Sequence, residues 1–169
     1  MASLSKSEGA ADITEPLARA KRQAAADLEQ LRPELEQIGL AIHRLSETAL
    51  QEKESAALLA DRLRRAGFTV EEGVAKLPTA FRADWHGGRS RNPGRRPVHA
   101  ALLCEYDALP GIGHACGHNL IATASLGAAL ALREAARKLA TELPLELTVF
   151  GTPAEEEVGG KIIMAEAGL

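Results

Sequence analysis

Aromatic residues are scarce in this chain, with three Phe, one Tyr and one Trp among 169 residues. A core must therefore be built from Leu, Ala, Val and Ile. Cysteine is scarcer still: Cys104 and Cys116 are the two thiols. Two thiols make no disulfide framework, and a cysteine beside histidines favours a reducing compartment. A dominant charge sign is also missing, since the formal net charge is -3. That balance gives no reason to expect a nucleic-acid or anionic-membrane partner. Long hydrophobic runs are absent; the most apolar stretch, residues 120–132, is too short to span a bilayer. Residues 1–15 lack an apolar core and carry acids, which argues against a secretory or transit leader. The expected location is the cytoplasm. No internal repeat is visible.

What is present is 46% hydrophobic residues, enough for one domain with a real core. Residues 1–13 are small and polar and read as a disordered tail. Thr14 and Pro16 mark a helix start, and Pro33 is expected to break or kink that helix. A second helical segment, 34–45, lines up Leu35, Ile38, Ile42 and Leu45 on one face. A third, 53–66, turns Leu58, Leu59 and Leu63 inward and stops at Gly67. Residues 68–74 and 79–85 read as short strands, with Phe81 and Trp85 as core or interface residues. Residues 98–104 form an apolar run suited to a strand buried on both faces. A helix follows from Asn119, a plausible N-cap, to about residue 140, its apolar first half buried against a sheet. Residues 145–150 form another strand, and 161–167 start another helix. Helices alternating with apolar strands argue for an α/β layered fold, a largely parallel or mixed sheet flanked by helices.

Chemistry is concentrated in two places. Residues 105–119, EYDALPGIGHACGHN, pack two carboxylates, two histidines and a cysteine into one Gly/Pro-punctuated loop. Residues 152–160, TPAEEEVGG, put three glutamates in a row after an apolar strand. In open α/β sheets, sites form beyond the carboxyl ends of strands, so the two clusters can meet. Cys116 and His118 can turn toward one cavity if Gly117 relaxes the backbone, and both bind borderline cations. His114 adds to the cluster. A nucleophilic Cys116 with His118 as base is a rival chemistry, but it leaves Glu155 and Glu156 without work. The glutamate run reads either as a solvated acidic turn or as a divided pair, one acid on metal and its neighbour on water. Asp107 suits a carboxylate that orients a ligand histidine as well as it suits a turn. Arg89, Arg91, Arg95 and Arg96 read as a solvated loop, and His43 as a packed or capping residue.

These residues resemble the metallopeptidase family numbered twenty, which includes aminoacylases, carboxypeptidase G and dinuclear-zinc dipeptidases. EYDALPGIGHACGHN and GTPAEEEVGGK carry the resemblance, with IHRLSETALQEKESAALLADRLRRAGFTV and KLPTAFRADW in support. The nearest subgroup is that of aminoacylase-like dipeptidases and aminobenzoyl-glutamate hydrolases. The resemblance implies a zinc-peptidase-like catalytic domain that hydrolyses an amide bond in N-acyl amino acids or small peptides. It implies Cys116, His118 and Glu156 as metal ligands and Glu155 as general base; Asp107 is counted beside Glu155 among the catalytic residues on the reading given above. The metal expected is zinc, with manganese or cobalt as alternatives. Many relatives carry His-x-Asp where this chain has Glu105-Tyr106-Asp107, and the segment from Ser46 to Leu50 also departs from their pattern. The family's chains are more than twice as long. Residues 14–169 are therefore expected to be the N-terminal part of a catalytic domain, without the lid or dimerisation domain and inactive alone. The full-length form is expected to be a homodimer acting on a small amide or dipeptide substrate. A non-catalytic remnant or binding module of the same fold is the alternative.

Overall fold

The computed structural model describes residues 14–87, 96–138 and 145–169. The tail at 1–13, three of the loop arginines (Arg89, Arg91 and Arg95) and the segment 139–144 lie outside them. Helix α1 (Thr14–Leu45) and helix α2 (Lys53–Arg65) come first, then strand β1 (Thr69–Glu72), a short 3-10 turn (Val74–Lys76) and strand β2 (Phe81–His86). Strand β3 (Val98–Cys104), helix α3 (His118–Lys138), strand β4 (Leu145–Gly151) and helix α4 (Gly160–Glu166) complete the order.

The sheet runs β1-β2-β4-β3. It is mixed: β1 with β2 and β2 with β4 pair antiparallel, and β3 with β4 parallel. A mixed sheet is one of the two arrangements that the alternation of helices and strands argues for. It arises because the first strands follow one another through a short connection, which joins antiparallel neighbours. One sheet face meets the helices. Ile42 from α1, Leu59 and Leu63 from α2, Leu126 and Leu130 from α3, and Phe81, Leu147 and Val149 from the sheet form one cluster. Leu58 packs at its margin. On the opposite face of the sheet, Thr148 donates to Asp84 at 2.6 Å and Arg82 pairs with Asp84 at 2.8 Å. A smaller cluster of Val74, Leu77, Ala80 and Met164 seats α4 beside Phe150.

Four sequence expectations are corrected. Helix α1 runs continuously through Pro33. Pro33 is exposed, so the carbonyl one turn back that loses its amide partner can turn to water. Strand β3 is not buried on both faces, because the helices cover only one face of the sheet, and Ala101 and Leu103 lie on the other. Val98 and Leu103 are exposed, at 62% and 44%. The apolar first half of α3 is likewise only partly covered, since Leu120 is 65% exposed. Asn119 does not cap α3. The helix begins at His118, and the Asn119 amide donates to the Gly39 carbonyl of α1 at 3.3 Å.

Leu59 is fully buried among these helices and strands. Leu59→Ala is expected to cost about 2–5 kcal/mol in urea unfolding, whereas Ala57→Ser, on the exposed side of α2, should be near neutral.

Candidate metal centre

The parallel pairing of β3 and β4 brings the two polar clusters together. Cys104 and Gly151, the last residues of the two strands, are register partners. Thr152 locks the strand ends, its amide and hydroxyl both donating to the Cys104 carbonyl at 2.8 and 3.1 Å. The chain leaves both strands at the same end, so Glu105 and the TPAEEEVGG loop emerge side by side.

Each loop then uses a glycine for a specific geometry. Gly117 has φ +79°, the left-handed region that lets Cys116 and His118 flank it without a steric penalty. Gly160 passes so close to Pro153 that a Cβ there would lie 2.1 Å from the Pro153 carbonyl oxygen. That contact folds the acidic loop back on itself before α4 starts.

Asp107 joins the two loops. Its carboxylate is fully buried, and Oδ1 accepts from His118 Nδ1 at 2.8 Å. The Asp107 carbonyl oxygen lies 3.0 Å from the same nitrogen. Both neighbours are acceptors, so Nδ1 carries the proton and Nε2 presents its lone pair. Oδ2 of the same carboxylate accepts the Glu156 amide at 3.1 Å.

Nε2 of His118 faces a ring of carboxylates. Glu105 Oε2 and Glu156 Oε1 lie 3.6 Å away and Glu155 Oε2 lies 3.8 Å away. These gaps exceed a hydrogen bond. They approach the roughly 3.4 Å that separates donors held tetrahedrally at about 2.1 Å around zinc. One donor atom from each of His118, Glu155 and Glu156 lies within 4.8 Å of the other two. A buried imidazole with a free lone pair, ringed by oxygen donors, is a donor set that fits a divalent cation.

Cys116 stands apart from that trio. It is exposed and lies beside Glu156, whose hydrogen bond and negative charge hold the thiol above its ordinary range, with Glu155 adding to the effect. The other thiol, Cys104, is fully buried and pushed up to about 12 by desolvation. His114 turns away, with Nε2 at 3.0 Å from the Ile42 carbonyl, and burial lowers its pKa.

Two residues that the sequence did not assign belong to the ring. Glu105 is one. The other is Lys161, from the first turn of α4. Its ammonium pairs with Glu105 Oε1 and lies 3.2 Å from Glu155 Oε1. Glu105 and Glu155 raise its pKa, Glu105 first. The signal for Glu105 was local: it stands two residues before Asp107 at the strand end. Lys161 closes the GTPAEEEVGGK stretch, but nothing local gives it a role at the site. An apolar groove between α1 and α3, lined by Leu28, Leu35, Leu40 and Leu120, shares no residue with this cluster.

No protein-family model matches the sequence. Curated relatives do. The chain is 43% identical over 152 residues to the Xaa-Arg dipeptidase of Mus musculus. It is 36% identical over 140 residues to one subunit of the p-aminobenzoyl-glutamate hydrolase of Escherichia coli. Among solved structures, a dinuclear metal binding peptidase of the M20 family from Bacillus subtilis superposes with a TM-score of 0.69 at 22% identity. The chain is a relative of these hydrolases and has the fold of an M20 peptidase. The matches take in 88% and 73% of this chain but 35% and 27% of the two curated proteins. The solved M20 structure is covered over 40% of its length, by 83% of this chain.

The two thiols give this geometry a direct readout. Iodoacetamide is expected to label Cys116 and spare Cys104, as read by peptide mass spectrometry. Because neighbouring carboxylates raise the Cys116 pKa, its thiolate fraction at neutral pH is below that of a free cysteine. The labelling rate should therefore be slow near neutrality and climb as pH rises past the ordinary thiol value of 9.0. Fast labelling of Cys104 in the folded protein would contradict the packing described.

Proposed function

We propose that this chain carries metal-binding and proton-transfer residues of a metal-dependent amidohydrolase acting on N-acyl amino acids or small peptides. One observation carries the reading: a buried, Asp107-oriented imidazole whose free nitrogen faces Glu105, Glu155 and Glu156 at 3.6–3.8 Å. The names of the relatives point the same way, since a dipeptidase and an aminobenzoyl-glutamate hydrolase both cleave amide bonds.

In this reading His118 and Glu156 hold the metal, and Cys116, at the rim beside Glu156, completes the ligand set. Asp107 keeps the proton on His118 Nδ1 and so keeps Nε2 available. A bound divalent metal would polarise the scissile carbonyl and acidify a water. Glu155 accepts a proton from the attacking water and returns it to the leaving nitrogen, releasing a carboxylate and an amine. Lys161 sits on Oε1 of Glu155, which leaves Oε2 facing the centre. A thiolate and an imidazole together favour zinc, with cobalt and manganese compatible. The raised Cys116 pKa disfavours the rival reading in which that thiol is a nucleophile. The same proposal includes a cytoplasmic location, suggested by two free thiols, and a homodimer for the whole protein. Among the described residues, no helix is long and apolar enough to cross a membrane.

The test separates the two adjacent glutamates. In the intact protein, Glu155→Gln should lower turnover of a dipeptide or acyl amino acid by about 10²–10⁴-fold while zinc content stays unchanged. His118→Ala and Glu156→Ala should lose the metal as well. Loss of metal in Glu155→Gln would remove the base assignment, and chelator-insensitive hydrolysis by the wild type would remove the metal mechanism.

A further inference from the structure

Beneath the ring lies another buried carboxylate, which the mechanism does not use. Glu52, just before α2, is fully buried. Its Oε1 accepts the Ala154 amide at 2.8 Å, and its Oε2 accepts the Thr79 hydroxyl at 2.9 Å. The Thr79 carbonyl in turn accepts the Tyr106 hydroxyl at 2.5 Å. This network joins four segments that are distant in sequence, and two of its ends are informative. Tyr106 lies between Glu105 and Asp107. Ala154 lies immediately before Glu155 and Glu156.

Ala154 is also strained. Its φ is +56°, a left-handed conformation that an L-residue with a Cβ adopts at a cost. Such a residue persists only where its surroundings over-determine it. The Glu52 bond to its amide is one such constraint. The return of the loop, with the Val158 and Gly159 amides donating to the Ala154 carbonyl at 3.2 and 2.9 Å, is another. The backbone direction at Ala154 sets where the next two side chains go.

We propose that Glu52 is a positioning residue of the metal centre, pinning Ala154 so that Glu155 and Glu156 project toward His118 Nε2. The inference rests on the metal-centre reading above. Glutamine can replace Glu52 in this role. Its carbonyl accepts from Ala154, and its amide nitrogen donates to a Thr79 hydroxyl that rotates to accept. Alanine cannot, and it leaves a buried amide and hydroxyl without partners.

The experiment uses the intact protein with Glu52→Ala, Glu52→Gln and Thr79→Val. Zinc affinity is measured by chelator competition, Ala154 amide exchange without metal, and folding by circular dichroism. Glu52→Ala should weaken zinc binding about 10–100-fold and speed Ala154 exchange about tenfold or more, with the fold retained. Glu52→Gln should restore both, which a loss of general packing would not predict. A folded Glu52→Ala with wild-type affinity and exchange overturns the proposal. If Glu52→Ala does not fold, Thr79→Val, which removes a single hydroxyl, decides by the same readouts. Wild-type protein that binds no zinc overturns the metal-centre reading itself. Binding by the wild type with no change in Glu52→Ala overturns only the role of Glu52.

Discussion

The site depends on one buried carboxylate. Asp107 is out of contact with water, and a carboxylate in that position is costly unless its oxygens are bonded. Its two oxygens are met by donors from two different loops, His118 Nδ1 and the Glu156 amide. Neither loop alone satisfies it. The carboxylate is therefore comfortable only when the chain after β3 and the chain after β4 have come together, and that requires the parallel pairing that aligns Cys104 with Gly151. Assembly of the sheet and assembly of the site are one event. The same bond decides which imidazole nitrogen faces outward, so a structural requirement also sets the chemistry.

Charge explains the rest of the ring. Glu105, Glu155 and Glu156 gather within 3.8 Å of one nitrogen, and like charges at that range repel. Lys161 offsets part of this by bridging Glu105 and Glu155. Glu156 has no such partner among the described residues; its neighbour is the Cys116 thiol, whose ionisation it disfavours. The field that remains is negative and focused where His118 points its lone pair. In the proposed metal centre, a divalent cation placed there would relieve that field and lower the thiol pKa, and so would bring Cys116 into the ligand set.

Much of this was legible in the sequence, and the illegible parts share a cause. The strand at 98–104, the strand from 145, the inward leucines of α2 and the meeting of the two motif loops all follow from periodicity and from where sites form in α/β sheets. Which strands pair was not encoded locally. The run VHAALLC reads as doubly buried because residues on both of its faces are apolar, which hides the alternation of one-sided burial that leaves Leu103 exposed. Pro33 reads as a break because sequence does not say which face of α1 meets solvent. Lys161 contacts Glu105 across 56 residues, and Glu52 reaches Ala154 across 102, spacings that no motif records. Glu52 stands among polar residues, QEKE, and its burial is a tertiary fact.

The scarcity of aromatics has a counterpart here. Phe81 and Tyr106 are fully buried and stack in parallel, their ring centroids 6.2 Å apart. Phe81 belongs to the apolar cluster under the sheet, and its ring lies over Gly151, where a Cβ would come within 2.3 Å of two ring atoms. Tyr106 has the same apolar body but ends in a hydroxyl, which reaches the Thr79 carbonyl and so the Glu52 network. The pair thus forms the boundary between an aliphatic core and a buried polar layer. A leucine at either place would fill volume without the flat contact, and a phenylalanine in place of Tyr106 would leave the Thr79 carbonyl without that donor. With so few rings in the chain, two of them stand where packing has to be exchanged for hydrogen bonding, directly beneath the residues that converge on His118.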